Sequence, residues 1–372
     1  MNSFHSILQQ QDGAAIDRAL SSFTQQDVDR ALSAEYLSPD DFLALLSFAA
    51  GSRLEEMAAL AHRLTLCHFG RTLQLYTPLY LSDYCDNSCV YCSFRATNAA
   101  ARKKLDLDEV LREGAAIAAT GIRHILLLTG ESRRHSPTSY IGDCVEALKP
   151  YFHSIAIEVY PLTRQEYQTL IERGVDGLTI YQETYDETTY RSIHPAGPKR
   201  DYHFRLDASQ RAAAVRMRQI NIGALLGIAD WRKDIFRLGL HARYLMDFFP
   251  DAEIGVSLPR LQPYRGSLAQ TARVIDRHLV QALVSLRLFL PRQGISISTR
   301  ERGSLRDHLI PLGVTRLSAG SITSVGGHDV KNTEGALAQF EIADHRGVEE
   351  ITAMIRSKGY DPVLSDWVPY DT

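Results

Sequence analysis

Leu81-Ser-Asp-Tyr-Cys-Asp-Asn-Ser-Cys-Val-Tyr-Cys-Ser-Phe94 directly follows the apolar, strand-like run Pro78–Ser82, and its cysteines decide how the rest of the chain is read. Cys85, Cys89 and Cys92 stand in C-x3-C-x2-C spacing. Iron–sulfur clusters are normally held by four cysteine thiolates. Three at this spacing hold three corners of a [4Fe–4S] cube and leave the fourth iron open to a small molecule. Zinc asks for four ligands in paired C-x2–4-C or H-x3–5-H spacings, and no fourth Cys or His stands so placed. Structural thiols are usually buried singly as small hydrophobes, which does not match three beside Asp86, Asn87 and Ser88. Disulfide frameworks belong to small secreted chains. The cluster reading is the strongest of the four.

Composition narrows the class. With 372 residues, 45% hydrophobic and 23% charged, the chain is globular, with length for one large domain or two ordinary ones. A formal net charge of −3 gives no electrostatic footprint for nucleic acid. Met1–Leu20 holds no apolar leader, and no run of about eighteen apolar residues occurs. A cytoplasmic protein without nucleic-acid or membrane partners is expected, in a compartment that keeps thiols reduced. Cys67 and Cys144 are isolated and read as structural or incidental.

The first 75 residues read as a helical extension. Gly13–Ser33 and Ser38–Thr65 carry apolar residues three and four apart, and Ser38-Pro-Asp-Asp has the form of a helix start. From residue 76 short apolar runs alternate with helical patterns. The runs are Pro78–Ser82, His124–Thr129, Ile155–Tyr160, Gly177–Gln182, Ile222–Leu226, Ile254–Leu258, Ile295–Thr299 and Thr315–Ala319. Such alternation argues for parallel βαβ units, and eight strands suit an α/β fold of the closed (β/α)8 TIM-barrel type; an open doubly wound sheet is the alternative. Val348–Lys358 and Gly359–Leu364 read as a helix and strand closing the barrel. Polar residues recur where the runs end: Glu131, Glu158, Tyr160, Gln182, Glu183, Arg260, Arg300, Ser318 and Ser321. Strand C-termini form the catalytic face of such barrels.

The cysteine spacing, with Tyr91 before the last Cys, resembles the signature of the radical S-adenosyl-L-methionine (SAM) enzymes. That resemblance implies a TIM-type barrel over residues 76–372 and SAM bound to the open iron, where reduction releases a 5′-deoxyadenosyl radical. It places Tyr91 by the adenine, and Gly130 and Glu131 of Leu127-Leu-Thr-Gly-Glu131 at SAM's amino group. Arg205 of Phe204-Arg-Leu-Asp207 takes the SAM carboxylate. Glu158, a carboxylate inside an apolar run, needs a partner; a SAM ribose or ammonium, or a structural Arg, would serve. Plain readings stand beside these: loop packing for Tyr91, a solvated acid for Glu131, a surface salt bridge for Arg205.

Further segments, from about Tyr76 to Pro369, are similar to the tyrosine lyase of thiamine biosynthesis (2-iminoacetate synthase). They are Pro78-Leu-Tyr-Leu-Ser82, Leu128-Thr-Gly-Glu131, Tyr181-Gln-Glu-Thr-Tyr185, Gly223-Ala-Leu-Leu-Gly227, Ser257-Leu-Pro-Arg-Leu261, Ser298-Thr-Arg-Glu301 and Asp366-Trp367. This similarity implies cleavage of the Cα–Cβ bond of L-tyrosine to 4-cresol and 2-iminoacetate. It implies a flavodoxin- or ferredoxin-type reductant, and thiazole synthase as consumer of the product. Arg300 matches an arginine that clamps the amino-acid carboxylate, Ser318 a nearby hydrogen-bonding residue and Tyr80 an aromatic at the substrate amino group. Arg suits the clamp because its planar fork grips a carboxylate in two places. Arg260 is a further candidate for substrate or cofactor contact.

Ser324-Val-Gly-Gly-His328 resembles a family loop and is expected to cover the mouth. His194-Pro-Ala-Gly-Pro-Lys-Arg200 reads as a mobile cover or a plain surface loop. Ser93 departs from the family's usual Gly without touching the ligands. No cysteine follows Cys144, which argues against the related enzyme of hydrogenase maturation, whose second cluster sits on C-terminal cysteines. A tryptophan-directed relative and a non-catalytic metal-binding scaffold are the competing readings.

Overall fold

The computed structural model describes residues 3–262, 273–329 and 337–365; the expected closing pair Asp366-Trp367 lies outside them. Eight parallel strands form a closed ring: β1 (Thr72–Ser82), β2 (His124–Thr129), β3 (Ser154–Glu158), β4 (Gly177–Glu183), β5 (Gln219–Ala224), β6 (Glu253–Ser257), β7 (Gly294–Ile297) and β8 (Arg316–Ser318). Neighbours in sequence pair with each other, and β1 pairs with both β2 and β8, which removes the open-sheet alternative. The expected C-terminal helix and strand are present as Val348–Ser357 and β9 (Asp361–Val363). β9 pairs with Thr72–Gln74 of β1, and Arg123 N–H donates to the Leu364 carbonyl at 2.8 Å, so this strand continues the edge that β2 occupies further along.

The strands owe their form to a period of two. Leu73, Leu75, Leu79, Ile125, Leu127, Ile155, Ile157 and Leu178 are buried against the surrounding helices. The alternate positions Gln74, Tyr76, His124, Ser154, Thr179, Asn221, Ser296 and Arg316 line the lower lumen. Because that inner set is polar, a search for apolar runs starts β1 at Pro78 instead of Thr72 and β5 at Ile222 instead of Gln219.

The N-terminal segment is more divided than its periodicity suggests. The stretch 13–33 forms two helices, Gly13–Ser22 and Gln25–Ser33, parted where Thr24 exchanges hydrogen bonds with Asp27. Ser38 does start a helix (Pro39–Leu46) by the same reciprocal bond with Asp41. These helices join the barrel's own core. Phe42 stacks on Phe289 with ring centroids 4.3 Å apart. Gly239, inside the helix Trp231–Phe248, makes room: a Cβ there would lie 2.4 Å from the Phe42 ring.

Candidate active site

The cysteine loop leaves β1 and is clasped from two sides. On one side Gly130 N–H donates to the Ser82 carbonyl (2.7 Å) and Asp86 N–H to the Glu131 carbonyl (3.0 Å). Only glycine fits position 130, since a Cβ would stand 2.3 Å from the Tyr84 carbonyl oxygen. On the other side, Ser88 N–H donates to the Ala196 carbonyl and Val90 N–H to the Ile193 carbonyl, both at 3.0 Å. Lys199 N–H donates to Asn87 Oδ1 at 2.8 Å. Gly197, at φ +97°, passes so close that a Cβ would come within 2.4 Å of Asn87 Oδ1. The His194–Arg200 segment is the expected surface loop over most of its length, with Pro195, Ala196, Gly197, Pro198 and Arg200 exposed, but hydrogen bonds to Asn87 and Ser88 make it a strap on the cysteine loop, with His194 and Lys199 buried. The Ser324–His328 loop also differs from expectation. Gly327 and His328 N–H groups donate to the Glu113 carboxylate, and His328 Nε2 lies 3.1 Å from the Pro78 carbonyl. It braces β1 and lines no part of the mouth cavity.

Cys85 and Cys92 open onto a cavity at the strand C-termini with about 840 Å³ of empty space, counting its open side. Cys89 is buried. Among the described residues no three His, Cys, Asp or Glu side chains gather as ligands of a single ion would. The cysteine sulfurs are nonetheless close enough to feel one another: burial pushes the Cys85 thiol up to about 11, and Glu131 and Cys92 add to it. Burial likewise pushes Cys89 upward, with Cys92, Glu131 and Cys85 contributing. Soft thiol donors that need a cationic partner to ionise fit a multi-iron cluster.

Behind the loop lies a network of two carboxylates and two cations. Arg205 Nη1 donates to Glu131 Oε1 (2.9 Å), and its Nε to the Tyr181 carbonyl (2.7 Å). Lys199 Nζ donates to Glu183 Oε1 at 2.7 Å and stands 3.7 Å from Glu131 Oε1. Asn87 Nδ2 donates to Glu131 Oε2 at 2.9 Å. Burial raises the pKa of both acids, but Arg205 and Lys199 outweigh it and hold them below the usual carboxylate range. Glu183 sits at φ +70°, a conformation costly for a residue with a side chain, at the bulge that ends β4. Tyr91 borders the cavity, its hydroxyl 2.8 Å from His194 Nε2. Burial keeps that histidine neutral, its pKa pushed down to about 2.

The opposite wall carries Tyr80, Glu158 and Arg300 together. Tyr80 donates its hydroxyl to Gln339 Oε1 at 2.8 Å. The Arg300 guanidinium stacks on Phe340, Cζ 3.4 Å from the ring centroid, and among the described residues it meets no carboxylate. Among the described residues Glu158 receives no hydrogen bond; burial pushes its pKa up to about 7, Glu183 adds to the rise, and Arg300, Lys199 and Arg205 oppose it. Ser318 is buried below this wall, its Oγ accepting from Thr299 N–H at 3.0 Å, so it supports the segment before Arg300. Arg260 is turned elsewhere: it pairs with Glu301 and, at 3.0 Å, with Asp276, outside the cavity lining. Lys199, Gln339 and Phe340 carried no signal in the sequence, because none ends a strand.

Comparison with known proteins agrees with this geometry. A family model described as the Radical SAM superfamily matches residues 79–239, and one described as the Biotin and Thiamin Synthesis associated domain matches 257–361. The chain is 39% identical to the 2-iminoacetate synthase of Escherichia coli K12, over 100% of this chain and 98% of the relative. It is 37% identical to the enzyme of that name from Salmonella typhimurium LT2, over 99% and 97%. The solved structure of the FeFe-hydrogenase maturase HydG from Carboxydothermus hydrogenoformans is similar with a TM-score of 0.85 at 30% identity, over 98% of this chain and 83% of that one. Its full-length likeness to the two bacterial enzymes places this chain in the radical SAM family of 2-iminoacetate synthases.

Proposed function

We infer that the protein is a tyrosine lyase, breaking the Cα–Cβ bond of L-tyrosine to give 2-iminoacetate and 4-cresol for thiamine thiazole synthesis. The observation that carries this reading is an unpaired guanidinium, Arg300, sharing a cavity with the thiols of Cys85 and Cys92. Cys85, Cys89 and Cys92 would hold a [4Fe–4S] cluster, and Glu131 with Arg205 would meet the amino-acid end of SAM. Bound together, cluster and SAM supply the one-electron reductive cleavage that creates a hydrogen-abstracting radical. The chain's own contribution is orientation and exclusion of water. Arg300 grips the substrate carboxylate with Phe340 flattened against its guanidinium, which fixes the plane of the fork. Tyr80, its hydroxyl held by Gln339, would be the aromatic beside the substrate amino group. The cysteine loop, clamped by Gly130 and the strap, keeps the two reactants at a constant separation.

We assign tyrosine in preference to tryptophan, because both full-length relatives carry the 2-iminoacetate synthase name. A flavodoxin- or ferredoxin-type reductant, thiazole synthase as acceptor of the product and a cytoplasmic location complete the proposal. No helix among the described residues is long and apolar enough to cross a membrane. Anaerobic incubation with SAM, dithionite and either tyrosine or tryptophan tests the reading. Tyrosine should yield 4-cresol; an indolic acid from tryptophan, with no 4-cresol, would replace it.

A further inference from the structure

Around the mouth cavity, the three carboxylates and three cations described above do not all pair. Glu131 and Glu183 on one wall are matched by Arg205 and Lys199. Two charges remain, Arg300 after β7 and Glu158 at the end of β3. No ion pair joins them among the described residues, yet each lies in the other's field and both line the same space. A partly buried carboxylate without a hydrogen-bond partner is costly; Arg300, Lys199 and Arg205 ease the charge of Glu158 from a distance, but none of them pairs with it among the described residues. Tyr76, Tyr80 and Tyr181 are all disturbed by its charge, but none hydrogen-bonds to it.

An unpaired anion and an unpaired cation facing one cavity are complementary to a zwitterion. Resting on the tyrosine lyase reading, we propose that Glu158 is a substrate-binding residue, accepting the α-ammonium of tyrosine while Arg300 takes its α-carboxylate. The two groups of an α-amino acid are adjacent, so a single bound molecule neutralises both side chains at once. A phenol hydroxyl is a weaker match, since a neutral donor leaves the charge of Glu158 and that of Arg300 uncompensated. The ammonium of SAM belongs on the other wall, where Glu131 stands beside the cysteine loop. Holding the nitrogen between Glu158 and Tyr80 would also fix which substrate atom is presented to the reactive centre.

The experiment compares wild type with Glu158→Gln, both carrying the reconstituted cluster and saturating SAM. Equilibrium dialysis measures binding of L-tyrosine and of 3-(4-hydroxyphenyl)propionate, which lacks the amino group; iron content and SAM binding are read on the same samples. Glu158→Gln should weaken L-tyrosine about tenfold or more, leave the des-amino analogue within about twofold, and keep iron and SAM as in wild type. Equal weakening of both ligands, undiminished tyrosine binding, or loss of SAM binding would each overturn the proposal, the last returning Glu158 to the cofactor. Should the variant fold poorly, wild type alone decides. Tyrosine must then outbind the analogue about tenfold, and equal affinity rejects the role. These readouts need no turnover, so a wild-type protein that binds tyrosine in this manner but forms no 4-cresol would sink the lyase reading and leave the clamp standing.

Discussion

Arg300 is defined by what it lacks. No carboxylate among the described residues pairs with it, and the guanidinium is held flat by Phe340. Arg300→Ala is expected to retain the cluster and uncoupled SAM cleavage while lowering 4-cresol formation about a hundredfold or more, measured by product chromatography. The cysteines divide by location. Cys89→Ala should abolish bound iron and SAM cleavage, whereas Cys144→Ala, within the helix Thr138–Leu148, should leave iron content unchanged. Glu158 gives a pH prediction. Its pKa is about 7 in the fold against 4.5 unperturbed, so its charge opposes folding only as pH rises above 4.5, and fully above about 7. Without tyrosine, Glu158→Gln should melt like wild type near pH 4 and at higher temperature near pH 8, with a gain of at most about 3 kcal/mol. Equal melting at both pH values would show that the carboxylate is not desolvated.

At the scale of elements, the strap between β4 and β5 has the largest consequence. Its backbone holds residues 87–90, and its Lys199 ammonium lies between two acids from other strand ends. Lys199→Met strands Glu183 and Glu131 as buried charges beside a single Arg205, and should cost about 3–5 kcal/mol in denaturant unfolding. Adding Glu183→Gln should recover part of that loss, since one fewer charge needs compensation; an additive double variant would refute the coupling. The strap's importance was hidden in the sequence. His194-Pro-Ala-Gly-Pro-Lys-Arg200 has the composition of a surface turn and is largely exposed, and the bond that ties it to the cysteine loop comes from Asn87, more than a hundred positions away. Gly130-Glu131 was legible because it follows an apolar strand directly, so its place at the barrel mouth is fixed by the strand itself.

For the whole molecule, barrel and N-terminal helices share one core, and the Phe42–Phe289 stack joins them. Phe42→Ala should lower stability by about 3–5 kcal/mol in chemical denaturation, and iron loss should then track global unfolding instead of preceding it. The amino-acid order by itself determined the eight-strand βα alternation, the cysteine spacing and most strand-end polar residues. Each of these follows from local pattern: hydrophobic period, sulfur spacing, position relative to a strand. Tertiary structure alone decided which of the strand-end residues meet. It turned Arg260 away to Glu301 and Asp276, brought in Lys199, Gln339 and Phe340 from connecting segments, and left Arg300 and Glu158 lining one space without an ion-pair partner among the described residues. Whether a charge is paired depends on distances across the closed ring, and no spacing along the chain encodes those.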